Sequence, residues 1–153
     1  MNGTWLSIRE SARQIVKEGH EGAMVVVFST NAFQPEQGGV FYNTAKSGQV
    51  AVMRIAAMEP PPYAIRVNGI APGIVRTRLP PVTEHPAQGK VFLARTPMGR
   101  FAEPIEIARP ILFLWSDDAS FIAGELLVVD GAYSVGTPLL IELNVPLIPD
   151  AVR

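Results

Sequence analysis

The chain has 153 residues, 48% of them hydrophobic, and its thirteen Lys and Arg against fourteen Asp and Glu leave a formal net charge of −1. This describes a soluble globular protein of about one domain. The scattered basic residues form no groove-like run interleaved with aromatics, which argues against a nucleic acid partner. The longest apolar runs, such as AMVVVF and ILFLW, fall far short of the ~20 residues needed to span a bilayer. The absence of cysteine excludes disulfides, thiolate catalysis and cysteine-ligated metal.

Along the chain, Trp5, Ile8, Ala12 and Ile15 share one face of a helix expected over residues 4–18 and closed by Gly19. The N-terminal stretch has neither the basic start nor the apolar core of a signal peptide, so a cytoplasmic location is expected. The next run, AMVVVF, is short, apolar and β-branched, as a strand covered on both faces would be. A second helix is expected over 40–58, ended by the prolines of EPPP at 59–62. AIRVNGIAP reads as a second strand. AEPIEIARPILFLWSD reads as a third helix, with Pro104 in its first turn and Pro110 expected to kink or interrupt it. GELLVVDG reads as a third strand. The expected fold is therefore α/β: a partial, doubly wound, Rossmann-like sheet of three parallel strands near 23–28, 65–70 and 125–130. Residues 77–101 and the tail from about Ala132 show no clear periodicity. His20 and His85 are too few and too isolated to suggest a metal site, and no metal is expected.

Tyr42 and Lys46 in FYNTAKS are four residues apart, so one helix face presents a phenol beside an ammonium. Ser29, at the end of the first strand, stands thirteen positions before Tyr42. Reducing a carbonyl by hydride transfer leaves an alkoxide, which needs a proton donor. A free phenol, with a pKa near ~10, serves poorly at neutral pH. A cation one helical turn away favours its phenolate. A serine hydroxyl could hold the substrate oxygen beside the phenol. Each residue also has an ordinary structural reading. Ser29 could terminate a strand, Tyr42 could pack on the sheet, Lys46 could be solvated, Asn2 could cap a helix, and Pro72-Gly73 could be a plain turn.

Three stretches in order, from Asn2 to Gly131, resemble the second half of a short-chain dehydrogenase/reductase. They are the Ser29, Tyr42 and Lys46 pattern preceded by MNGTWL, the strand and loop IRVNGIAPGIVRT, and PMGRFAEPIEIA followed by FLWSDDASFIAGELLVVDG. The resemblance implies an NAD- or NADP-dependent oxidoreductase acting on a small carbonyl or alcohol substrate. It implies a catalytic tetrad of Ser29, Tyr42, Lys46 and Asn2, with Tyr42 as general acid/base and Asn2 completing a water-linked proton path to Lys46. Tyr42, Lys46, Pro72, Gly73, Val75 and Thr77 would contact the cofactor, the loop residues at the nicotinamide carboxamide. Residues 78–101 would correspond to the family's substrate lid.

A dinucleotide fold also holds pyrophosphate on a glycine-rich turn after its first strand. Glycines 19, 22, 38, 39 and 48 do not form G-x-x-x-G-x-G behind a strand. About 100 further residues would complete the unit. Residues 1–131 are thus expected to be the catalytic half of such a domain and 132–153 an atypical apolar tail, with Ala132 where the family usually has a second glycine. Two readings stay open: a truncated oxidoreductase or piece of one, with little activity alone, or a non-catalytic interaction module derived from the family. The expected partner is a second copy or a separate N-terminal half.

Overall fold

The computed structural model describes residues 2–59, 65–77 and 86–136. Helix α1 (Asn2–Glu18) leads to β1 (Gly22–Val27), a 3-10 turn at Thr30–Ala32, α2 (Val40–Met58) and β2 (Ile65–Pro72). Helices α3 (Pro86–Arg95) and α4 (Pro104–Trp115), a 3-10 turn at Asp117–Ala119 and β3 (Leu126–Val129) complete it. The strands form one parallel sheet in the order β1-β2-β3, with Gly22 opposite Ile65 and Gly69 opposite Leu126. The three expected strands and three expected helices are all present. Helix α3 is additional, and the apolar stretch within 137–153 and lid residues 78–85 lie outside the described residues.

Alternation along the strands sorts the two faces. Phe28, Ile65 and Val67 turn toward α1 and α2 and form a buried cluster with Ile8 and Met53. On the other face Arg66 reaches the end of α4, its guanidinium donating to the carbonyls of Leu114 at 2.8 Å and Ser116 at 3.0 Å. Those carbonyls have no partner within the helix, and a cation at a helix C-terminus also opposes its dipole. The sheet is thus covered on both faces, as its β-branched strands require.

The helix ends follow from local chemistry. Gly19, at φ +71°, ends α1: its N–H donates to Val16 and that of His20 to Ile15, a pairing that needs a left-handed residue. Helix α4 begins at Pro104, where the missing N–H costs little, and runs through Pro110 without interruption to Trp115. Ahead of it, Arg100 grips both oxygens of Glu106 at 2.6 and 2.7 Å. That bond, together with the N–H of Glu103 at 2.8 Å, holds the Glu106 carboxyl down at about 2.

After β3 the chain turns tightly around Asp130, whose carboxylate accepts from the N–H of Ala132 at 2.9 Å and of Ser134 at 2.8 Å. Ala132 sits at φ +70°, the one non-glycine residue with positive φ among the described residues. A Cβ there costs roughly 1–2 kcal/mol, partly offset by the lower backbone entropy of unfolded alanine. Ala132→Gly is therefore expected to stabilise the chain by about 0.5–1 kcal/mol in urea denaturation. A loss of stability would show that the left-handed turn is not the solution conformation.

Candidate active site at the carboxyl ends of the strands

Strand β1 ends just before Phe28 and Ser29. Ser29, in extended backbone, caps the 3-10 turn, its Oγ accepting from the N–H of Asn31 at 3.2 Å. The same hydroxyl donates to Asn31 Oδ1 at 3.3 Å. Asn31 Nδ2 donates to Asn43 Oδ1 at 2.9 Å, and Asn43 Nδ2 to the carbonyl of Glu36 at 2.8 Å. Ser47 Oγ reaches Ala32 O at 2.6 Å. Helix α2 is thereby tied through two side chains to the segment that carries Ser29, and this fixes where its first turn presents Tyr42.

Ser29 and Tyr42 line the same cleft, of about 300 Å³, together with Gly73 and Ile74 from the loop after β2. Tyr42 is 51% exposed. One turn on, Lys46 Nζ lies 5.6 Å from the centre of the Tyr42 ring and donates to Val27 O at 3.3 Å. Asn2 is exposed at the start of α1 and lies outside this cleft lining.

Pro72 ends β2, and Gly73 donates to Val129 O at 3.0 Å. A Cβ on Gly73 would stand 2.8 Å from the Cα and Cβ of Asp130, so only glycine lets this loop approach β3 so closely. Val75 forms a parallel bridge with Ala102, made by Arg76 N to Ala102 O at 2.8 Å and Ala102 N to Ile74 O at 3.0 Å. Because the neighbours of Val75 make these bonds, its own N–H and C=O point away from Ala102. One donor and one acceptor on adjacent backbone atoms are what a carboxamide could pair with. Thr77 follows, exposed.

Several site residues escaped sequence reasoning. Asn43 is buried in the first turn of α2, where asparagine is a poor helix former, and that mismatch was the available signal. Tyr133, 2% exposed, donates to Glu36 Oε1 at 3.2 Å. Its ring packs at a tilt on Phe92 of α3, 6.3 Å between centroids, with the Arg95 guanidinium 4.6 Å from its centre. Burial first, then the charge of Glu36, pushes the Tyr133 hydroxyl above the usual tyrosine range. It therefore stays protonated and anchors the carboxylate as an acceptor.

The family model described as Enoyl-(Acyl carrier protein) reductase matches residues 1–134. The chain is 32% identical over 136 residues to an L-rhamnose 1-dehydrogenase (NAD(P)(+)) of Sphingomonas sp. (strain SKA58), covering 88% of this chain and 54% of that protein. It superposes with a TM-score of 0.84 and 33% identity on a short-chain type dehydrogenase/reductase from Mycobacterium ulcerans, covering 90% of this chain and 50% of the other. A 4-hydroxyisoleucine dehydrogenase complexed with NADH gives 0.80 at 26% identity, covering 90% and 57%. The chain thus spans about half the length of the curated relatives it matches. A family match along nearly the whole described chain, on a sheet of the same architecture, places the protein in the short-chain dehydrogenase/reductase family of NAD(P)-dependent oxidoreductases.

Proposed function

We propose that this chain carries the proton-transfer and substrate-holding part of a carbonyl/alcohol oxidoreductase. The observation that supports it is the placing of Ser29 and Tyr42 in one cleft at the carboxyl ends of the strands, with Lys46 one helical turn from Tyr42. Ligands of open α/β sheets bind at that end. Ser29 turns its one hydroxyl proton from Asn31 Oδ1 to the substrate oxygen, and Tyr42 passes a proton to or from that oxygen. Lys46 favours the anionic phenol while that proton is away. The backbone of Val75, with Pro72, Gly73 and Thr77 shaping the loop, holds the nicotinamide end, where Tyr42 and Lys46 also make contact. The dinucleotide, when bound, supplies or accepts the hydride. Asn2 is assigned a supporting place in the proton path, joined by solvent.

NAD(P)-dependent turnover requires a phosphate-binding turn that the glycines of this sequence do not form, and the chain alone binds either dinucleotide weakly. A second reading, a non-catalytic interaction module that docks on its own copy or on a separate half, draws on the outer edge of β1. That edge has no strand partner among the described residues, and Val27 there is 49% exposed.

The two readings separate in one assay. The chain is joined to the part of the Sphingomonas relative that it does not cover and supplied with NAD⁺ or NADP⁺. L-rhamnose and cyclopentanol serve as probe alcohols and reduced nicotinamide absorbance is the readout. Turnover is expected. A folded fusion that binds cofactor yet turns over neither alcohol would overturn the catalytic reading.

A further inference from the structure

The cleft beside Ser29 and Tyr42 contains one charged side chain among its lining residues, Glu36, and that charge is negative. The residue is held at two points, once by its side chain and once by its backbone. Its Oε1 accepts from Tyr133, and the backbone carbonyl of the same residue accepts from Asn43. Among the described residues it has no ion pair, because Arg95 lies against the Tyr133 ring instead. An ionised carboxylate offers about four acceptor positions, and Tyr133 occupies one. Gln37 stands next to it on the cleft wall, while Phe92 supplies an apolar wall.

Resting on the oxidoreductase reading of this site, we propose that Glu36 selects the substrate class: a neutral, polyhydroxylated alcohol or its carbonyl form, such as a sugar or cyclic polyol. One oxygen of the substrate goes to Ser29 and Tyr42. A neighbouring hydroxyl donates to Glu36, and the C–H face of the ring lies toward Phe92. An anionic substrate meets a like charge in a partly desolvated cleft. A plain apolar alcohol covers the carboxylate without giving it a donor, and a site built around a hydrogen bond discriminates strongly against a ligand that lacks it.

The test uses the 153-residue chain, isotopically labelled and titrated with L-rhamnose, cyclopentanol or 3-hydroxybutyrate while amide shifts of residues 29–42 are followed by NMR. L-rhamnose is expected to bind saturably, at least about tenfold tighter than either other probe. Glu36→Gln is expected to weaken L-rhamnose at least about tenfold and to narrow its advantage over 3-hydroxybutyrate. Glu21→Gln removes a carboxylate that is exposed and lies outside the cleft lining, so L-rhamnose binding is expected to stay within about threefold, which separates the charge at Glu36 from the net charge of the chain. Equal binding of the three probes, or an unchanged L-rhamnose affinity in Glu36→Gln, would overturn the proposal. No binding by any probe would overturn both this proposal and the reading of the cleft as an alcohol site. Turnover by the fusion without a polyol preference would sink the substrate class alone. Polyol selection at Glu36 in a fusion that binds cofactor but does not turn over would sink only the catalytic reading.

Discussion

Tyr42→Phe is expected to lower turnover of the fusion by about 10³-fold while leaving substrate affinity within a few-fold. The substitution deletes one hydroxyl from a half-exposed side chain, so its effect on folding should stay within about 0.5 kcal/mol. A drop in kcat with unchanged KM would mean that the hydroxyl acts in the transition state, as a proton donor must. Steady-state kinetics beside a thermal melt of the same sample make the measurement. Full turnover by the variant would put the donor elsewhere in the cleft, where Tyr133 is too buried and too firmly bonded to Glu36 to replace it.

The largest stability effect is expected at Asn68. This side chain is fully buried in the central strand, where Nδ2 donates to Ile122 O at 2.7 Å and Oδ1 accepts from Glu125 N at 3.0 Å. The two bonds hold the segment that delivers β3 to its place beside β2. Asn68→Ala removes both and strands a carbonyl and an N–H, each at a penalty of about 1–3 kcal/mol. A total near 3 kcal/mol is a large part of the ~5–15 kcal/mol that a domain has in all. Calorimetry should show a melting temperature lower by roughly 10 °C. A shift of only a degree or two would mean that water takes over both groups and that the loop is not held in this way.

The parallel sheet could be read in advance because its strands are short, continuous apolar runs separated by helical periodicity. Residues 40–58 matched α2 at both ends because prolines follow it and its interior has none. Helix α3 could not be read. PAQGKVFLAR groups Val91, Phe92 and Leu93 together instead of spacing them along one face, and the contact that seats it is the ring of Tyr133, far along the chain. The candidate site divides in the same way. Tyr42 and Lys46 are related by helix geometry alone, so spacing sufficed to put them together. Asn31, Asn43 and Glu36 meet only after α2 has packed against the Thr30–Ala32 turn, and no local pattern announces that meeting. Ala132 was visible as a departure from the family's second glycine, and its left-handed backbone gives that departure a physical meaning.

The two walls of the cleft are fastened differently. On one side, amide and hydroxyl bonds link Asn31, which also holds Ser29, and Ala32 to Asn43 and Ser47 of α2, and short directional bonds resist shear. On the other, among the described residues, Phe92 and Arg95 of α3 lie against the ring of Tyr133, and a ring contact is less directional than a hydrogen bond. The first wall behaves as a fixed jig and the second as a compliant jaw. Any adjustment to ligands of different girth is therefore expected on the α3 side, while the hydrogen bonds beside Ser29 hold its spacing from Tyr42. Alignment at the reacting oxygen is thereby insulated from variation in the rest of the substrate.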